Sequence, residues 1–222
     1  ILERFVSQSP KEMLIAPNWG LKNDEFTNLL NNVLKEKRNG SEKEFEMPEN
    51  CPVCGNPIRR IDTEAAFRCI NPACGGVVRE KLIHFASRDA MDIEGLGPAV
   101  VDSLLAYRLV ADAADFYALK EDDLRQIERM GEKSAANLIT AIRASKERGL
   151  AKLLFGLGIR FLGEKGSELA AHYFHTIDAI MAADVETIEE TEGIGKITAK
   201  SLYESVKSDI NKLKSFGIIS CI

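Results

Sequence analysis

One short stretch narrows the possible folds more than any other. The apolar, glycine-paired turn Ile93-Glu94-Gly95-Leu96-Gly97-Pro98 runs directly into a segment with helical periodicity. Looser copies stand at Met130-Gly131-Glu132-Lys133, Leu162-Gly163-Glu164-Lys165 and Gly193-Ile194-Gly195-Lys196. The last glycines of the four turns, at 97, 131, 163 and 195, are spaced by 34, 32 and 32 residues. A near-constant period in this range marks stacked supersecondary units. Each unit reads as helix, tight hairpin, helix, so the chain is expected to be mainly α, with four such motifs in one helical domain. Pro98 falls at a first helical position, where its fixed φ and missing N–H do no harm.

A glycine turn that opens a helix leaves backbone N–H groups without partners, and the helix dipole adds positive potential at the same place. Such a corner suits an anion, above all a phosphate. Four on one scaffold point to the sugar–phosphate backbone of a nucleic acid. The hydrophobic residue between the glycines (Leu96, Ile194) is expected to turn inward as a peg while the flanking amides face out. The expected contact residues are Gly95, Gly97, Gly131, Lys133, Gly163, Lys165, Gly193, Gly195, Lys196 and Thr198, with the lysines reinforcing the amides. Paired hairpins would hold both strands across a minor groove, positioning the protein without reading sequence. Arg129 occupies the place of Gly95 and Gly193, so the second turn either differs there or does not require positive φ. The competing reading is a helical repeat whose glycines only permit tight corners.

Four of the five cysteines fall in two pairs, Cys51-Pro52-Val53-Cys54-Gly55 and Cys69-Ile70-Asn71-Pro72-Ala73-Cys74-Gly75-Gly76. Each short loop delivers two sulfurs to one side of an ion, the arrangement of a tetrahedral zinc site. With Cys51, Cys54, Cys69 and Cys74 all ligating, no position is left for water, so the metal is expected to be structural. Residues 58–68 can form short strands, as in a zinc ribbon. His84, on an expected helix over 78–86, reads as a surface or packing histidine.

A net charge of −5 over 222 residues argues against non-specific binding through a basic surface, though not against contacts made by backbone amides. With 45% hydrophobic residues the chain is globular. No apolar run approaches the roughly 18 residues of a membrane span, and no basic-then-apolar leader opens the chain, so the expected location is cytoplasmic. Toward the N-terminus, residues 24–30 read as a helix capped by Asn23 or Asp24, and Asn39-Gly40 as a hairpin turn or part of a charged, solvated linker. Trp19 reads as a packing anchor, and Cys221 as incidental.

Taken together, residues 33–206 resemble the C-terminal half of a bacterial NAD+-dependent DNA ligase. Phe45-Glu46-Met47-Pro48-Glu49-Asn50-Cys51 is similar to the exit from that family's oligonucleotide-binding domain into its four-cysteine finger. The most specific stretch, from Arg79-Glu80-Lys81-Leu82-Ile83-His84-Phe85 through Asp92-Ile93-Glu94-Gly95-Leu96-Gly97, resembles the junction between the finger and the helix-hairpin-helix domain. The resemblance implies an N-terminal segment (1–49) that is the remnant or the end of an oligonucleotide-binding domain, a zinc finger (50–77), a helix-hairpin-helix domain (78–206) and a tail (207–222). It further implies double-stranded, nicked DNA as partner, structural Zn2+ here, and NAD+ and Mg2+ in the full-length ligase of DNA replication and repair. Gly75-Gly76-Val77 departs from the family's usual sequence after the last cysteine, and no Lys-x-Asp-Gly motif is present. The lysine that carries AMP in the family is therefore absent, no catalytic residue is expected, and the chain should be inactive without an adenylation domain. It reads either as a ligase fragment or as a truncated relative, the latter a stand-alone, non-catalytic DNA-binding protein.

Overall fold

The structure, a computed structural model, describes residues 48–60, 67–128 and 130–215. The expectations for Trp19, the helix at 24–30, the Asn39-Gly40 turn, the end of an oligonucleotide-binding domain, Arg129 and Cys221 lie outside the described residues. Two compact units are present, one ending at Asn71 and the other beginning at Pro72.

In the first unit, β1 (Ile58–Arg60) pairs antiparallel with β2 (Phe67–Cys69), with Ile58 opposite Cys69 and Arg60 opposite Phe67. This is the expected ribbon. The knuckle before β1 closes on itself: Gly55 N–H donates to the Cys51 carbonyl at 2.8 Å and Cys51 N–H to the Asn56 carbonyl at 2.7 Å. Gly55 takes φ +72, which lets the chain reverse within the loop.

The second unit is helical among its described residues. In order it contains α1 (Gly75–Ala86), α2 (Pro98–Ala106), a 3₁₀ segment (Ala113–Ala118), α3 (Glu121–Arg125), α4 (Glu132–Ser145), α5 (Leu150–Gly156), α6 (Glu164–Phe174), α7 (Ile177–Ala182), α8 (Val185–Glu189) and α9 (Lys196–Ser215); a short 3₁₀ turn, Lys146–Arg148, follows α4. The four hairpins join α1 to α2, α3 to α4, α5 to α6 and α8 to α9. The 3₁₀ segment and α7 are the connectors inside each pair of motifs. Two limits differ from those expected, and one connector is not α-helical. α1 starts at Gly75, not 78, because extended Cys74 already accepts the Val78 N–H at 2.9 Å. The connector at 112–119 is 3₁₀, held by a reciprocal cap between Asp112 and Asp115. α9 continues past 206 to Ser215, since Leu202, Val206, Ile210 and Leu213 keep a helical spacing.

Two apolar cores fill this unit. The first gathers Leu82 and Phe85 of α1, Val101 and Leu104 of α2, Phe116, Leu124 of α3, and Leu138, Ile139 and Ile142 of α4. The second gathers Ala170 and Phe174 of α6, Ile177 and Ile180 of α7, Ile188 of α8, and Ala199, Leu202 and Val206 of α9. Helix α5 serves both: Leu153 belongs to the first, and Leu150 and Leu154 to the second. It can do so because Gly156 comes close to its neighbours. A Cβ there would sit 3.4 Å from Ala90, Met91 and Phe85 side-chain atoms. Truncating a fully buried core residue such as Phe85 costs about 3–5 kcal/mol, a large part of the stability of any domain.

Polar ties frame the cores. Arg79 of α1 forks onto Asp102 of α2 at 2.5 and 2.9 Å, which holds the Asp102 carboxyl below its ordinary range. Ser145 Oγ donates to the Ile142 carbonyl at 2.8 Å, so the Tyr117 hydroxyl, 3.0 Å away, donates to Ser145. Burial pushes the Tyr117 phenol up to about 12. The neutral phenol is the form the fold favours. Its stabilisation is therefore complete below the ordinary value of 10 and lost as pH rises toward 12. Ultraviolet titration of the native protein should show a phenol ionising near pH 12, and Tyr117→Phe should abolish that step and flatten the loss of stability between pH 10 and 12.

Candidate nucleic-acid interface and metal centre

The four cysteines predicted to bind metal come together. The Sγ atoms of Cys51, Cys54, Cys69 and Cys74 all lie within 4.8 Å of one another, and Cys54 and Cys69 are 3.5 Å apart. In a tetrahedral four-thiolate zinc site the sulfurs stand about 3.8 Å apart, given Zn–S near 2.3 Å. The donor set and spacing fit zinc, with Cys51 and Cys74 buried. Asn56 Nδ2 lies 3.6 Å from Cys54 Sγ and 3.4 Å from the Cys54 carbonyl, a side-chain brace on the first knuckle. This is a four-cysteine zinc-binding site.

The hairpins share one construction. In each, an N–H donates back three residues: Leu96 to Ile93, Met130 to Ile127, Leu162 to Ile159 and Ile194 to Thr191, all at 3.0–3.1 Å. Leu96, Leu162 and Ile194 are buried, so the expected inward peg is present in three turns, and Met130 packs partly buried on the first core. The residue before the peg is left-handed at Gly95 (φ +85), Phe161 (φ +63) and Gly193 (φ +84). Two glycines meet that demand without strain and Phe161 does not.

After the peg comes the glycine that opens the helix. Gly97, Gly131, Gly163 and Gly195 each accept the N–H four residues on, at 2.9–3.0 Å. No side chain caps these helices at Gly97, Gly131 or Gly163. Elsewhere the chain does supply caps: Asp112 accepts from Ala114 N–H at 2.9 Å, Thr176 from Ala179 N–H at 3.2 Å, and Asp184 from Thr187 N–H at 2.8 Å. Hydrogen bonds from Thr187 hold the Asp184 carboxyl below its ordinary range. Nor does packing require the four glycines. A Cβ at any of them would meet nothing within 4 Å, and φ of −82, −76 and −79 at the first three suits any residue. Serine or aspartate would stabilise each helix by about 1 kcal/mol, so folding alone would favour a cap.

The charged residues at the corners are arranged unevenly. Lys133, Lys165 and Lys196 are exposed beside three turns, and Lys165 lies 3.3 Å from Glu168. Glu132 and Glu164 occupy the first position of α4 and α6, where they would repel an incoming anion. Each faces a cation: Glu164 is 2.7 Å from Lys152, and Glu132 is 4.0 Å from Arg125. Thr198 turns its hydroxyl toward the Phe161 carbonyl at 3.5 Å, linking the third hairpin to the helix after the fourth. Across the first pair, Gly95 lies 4.0 Å from Leu138 of α4 by way of an added Cβ. His84 is a packing residue, its Nε2 2.9 Å from the Phe155 carbonyl and its ring edge-on to Phe155.

Sequence reasoning missed Phe161 and Ile197, which are large, apolar and exposed on this face. Phe161 is two residues before Gly163, in register with Gly95 and Gly193, and that register was the available signal. The neutralising partners Lys152 and Arg125 could not be found from local spacing alone, since Lys152 reaches its carboxylate across a hairpin.

A closed four-cysteine centre and four helix-hairpin-helix motifs in two pairs define a zinc-finger protein with tandem helix-hairpin-helix modules. Comparison with known families agrees segment by segment. Residues 50–75 match the NAD-dependent DNA ligase C4 zinc finger domain, 87–144 a SAM-like helix-hairpin-helix tandem, and 152–212 a helix-hairpin-helix motif. The chain is 46% identical over 191 residues to a DNA ligase of Clostridioides difficile, 48% over 192 residues to one of Desulfitobacterium hafniense, and 52% over 170 residues to one of Heliobacterium modesticaldum. These alignments cover 84%, 84% and 77% of the chain but 28%, 29% and 25% of the relatives, so the chain spans under a third of their length. Residues 50–212 thus match the part of NAD-dependent DNA ligases that carries the zinc finger and the helix-hairpin-helix modules.

Because both helical cores are built from residues 82–206, Cys51→Ser should lose bound zinc and the order of the finger while the helical circular dichroism signal stays largely intact. Zinc content and far-ultraviolet spectra measured on the same sample check both halves of this expectation.

Proposed function

We propose that this chain is the DNA-gripping portion of an NAD+-dependent DNA ligase. In this reading the finger (50–77) and the helical domain (78–206) hold duplex DNA around a nick, while an adenylation domain using NAD+ and Mg2+ seals it. One observation carries the reading: four helices open on glycines that neither backbone conformation nor packing requires, and at Gly97, Gly131 and Gly163 the first amides have no side-chain cap. A bare amide corner in solvent is less stable than a capped one, but it admits a phosphate that a side chain would block. Lys152 offsets the nearest like charge at the third corner, and Arg125 more weakly that at the second. An acidic chain of net charge −5 then binds a polyanion locally, through fixed dipoles and a few lysines, not through a basic field. DNA replication and repair in the bacterial cytoplasm are the setting of this activity.

The relative weight of amides and lysines decides a first test. A hydrogen bond to a charged group is worth about 1.5–3 kcal/mol, roughly a 10- to 100-fold change in affinity. An exposed ion pair is worth about 0.2–1 kcal/mol, a change of a few-fold at most. Gly97→Val or Gly195→Val should therefore weaken duplex binding more than Lys196→Ala, while leaving the fold intact because a Cβ at either glycine meets open space. Fluorescence anisotropy on nicked and intact duplex at two salt concentrations measures this, and equal binding by the glycine variants would contradict the amide account.

Incubated alone with labelled NAD+ and Mg2+, the chain should form no AMP adduct. Mixed with a separately prepared adenylation domain on nicked duplex, it should restore sealing; tight DNA binding with no restoration would mark a stand-alone binding protein.

A further inference from the structure

The two pairs of hairpins present different surfaces at equivalent positions. In the first pair, the left-handed position before the peg is Gly95, and the second helical residue after the second hairpin is Lys133. In the second pair the same two positions hold Phe161 and Ile197. Both are exposed, Phe161 at 45% and Ile197 at 61%, and neither belongs to a core. The Thr198 hydroxyl lies 3.5 Å from the Phe161 carbonyl, so the two side chains spring from adjoining backbone. Cations stand beside them: the Arg160 guanidinium is 4.9 Å from the Phe161 ring centroid, and Lys165, paired with Glu168, and Lys196 are exposed at the same turns.

This arrangement works against folding on two counts. A left-handed phenylalanine is strained where glycine would not be, and an exposed ring and an exposed isoleucine lose nothing by replacement with polar groups. The strained backbone at Phe161 and the ridge of two exposed apolar side chains beside one another point to an external surface as their partner, and the Arg160 and Lys196 cations next to them suit a polyanion. Resting on the reading above, we propose that Phe161 and Ile197 form an apolar wedge that enters the minor groove of the bound duplex and loosens base stacking there. The first pair of hairpins, lacking such a ridge, grips phosphates only. Large apolar side chains flanked by arginine and lysine are the means by which minor-groove proteins part base steps, and the energy returns as added contact with bent DNA. The tandem modules thus divide the work: one holds the backbone and the other deforms the duplex.

The test uses the whole chain, a nicked duplex carrying 2-aminopurine near the break, and the double variant Phe161→Gly, Ile197→Ser. Glycine relieves the left-handed position and serine replaces an exposed residue, so circular dichroism and the melting temperature should be unchanged. Binding of the unaltered chain should brighten 2-aminopurine, reporting an unstacked base. The double variant should lose that signal and bind roughly tenfold more weakly, the scale of one lost stacking contact. The slope of affinity against salt should stay the same, since no phosphate contact is removed. Phe161→Trp should keep both signal and affinity. A double variant that binds and brightens like the unaltered chain overturns the wedge while leaving the gripping function in place, and would assign the ridge to a protein neighbour. Failure of the unaltered chain to bind duplex at either of two salt concentrations overturns the wedge and the gripping function together.

Discussion

Burial of an apolar side chain in three of the four hairpins is the constraint on which the rest of the structure depends. Leu96, Leu162 and Ile194 enter a core while their own N–H groups close a four-residue turn behind them. Both the side chain and the amide of the peg are thereby committed to the interior. The next residue, a glycine, must open the following helix, and its neighbours' amides have nowhere to point but outward. The exposure of these corners is thus a by-product of core packing, and loss of the peg would release the corner along with the core.

The same economy appears in the charges. Glu132 and Glu164 suit the positive end of a helix and so help α4 and α6 to start, yet a carboxylate at that place competes with any phosphate. Pairing them with Arg125 and Lys152 keeps the first effect and mutes the second. Lys152 also donates to the Asp89 carbonyl at 2.9 Å, so one ammonium secures the approach to the first hairpin and the helix after the third. A chain with more acidic than basic residues can therefore keep its helix-opening carboxylates paired at these corners without a cationic surface.

Much of this was legible in the residues themselves. The cysteine pairs announced a metal site because thiolate spacing within a short loop is a local property, and the fold brings Cys51, Cys54, Cys69 and Cys74 into the cluster that spacing implied. The hairpin period announced four helical motifs for the same reason: a turn and the helix it opens are set by neighbours in sequence. What escaped were properties that depend on distant parts of the chain. That the four motifs divide between two cores with α5 common to both is a matter of which face of a short helix meets which neighbour, and Leu150, Leu153 and Leu154 look alike in sequence. The left-handed backbone at Phe161 ran against local preference and was imposed by the turn geometry shared with Gly95 and Gly193. Helix limits shifted where a cap or a continuing apolar spacing outweighed the composition of the terminal turn, as at Gly75 and beyond Val206.

The sharing of α5 has a mechanical consequence. A helix of seven residues makes barely two turns, yet it supplies side chains to both cores, and at Gly156 it lies close against Phe85, Ala90 and Met91. Twisting one pair of hairpins against the other would pull Leu153 or Leu154 out of its packing and leave a void. The joint between the two halves is therefore a weld, not a hinge, and the pitch at which the four corners follow one another is fixed before any ligand arrives.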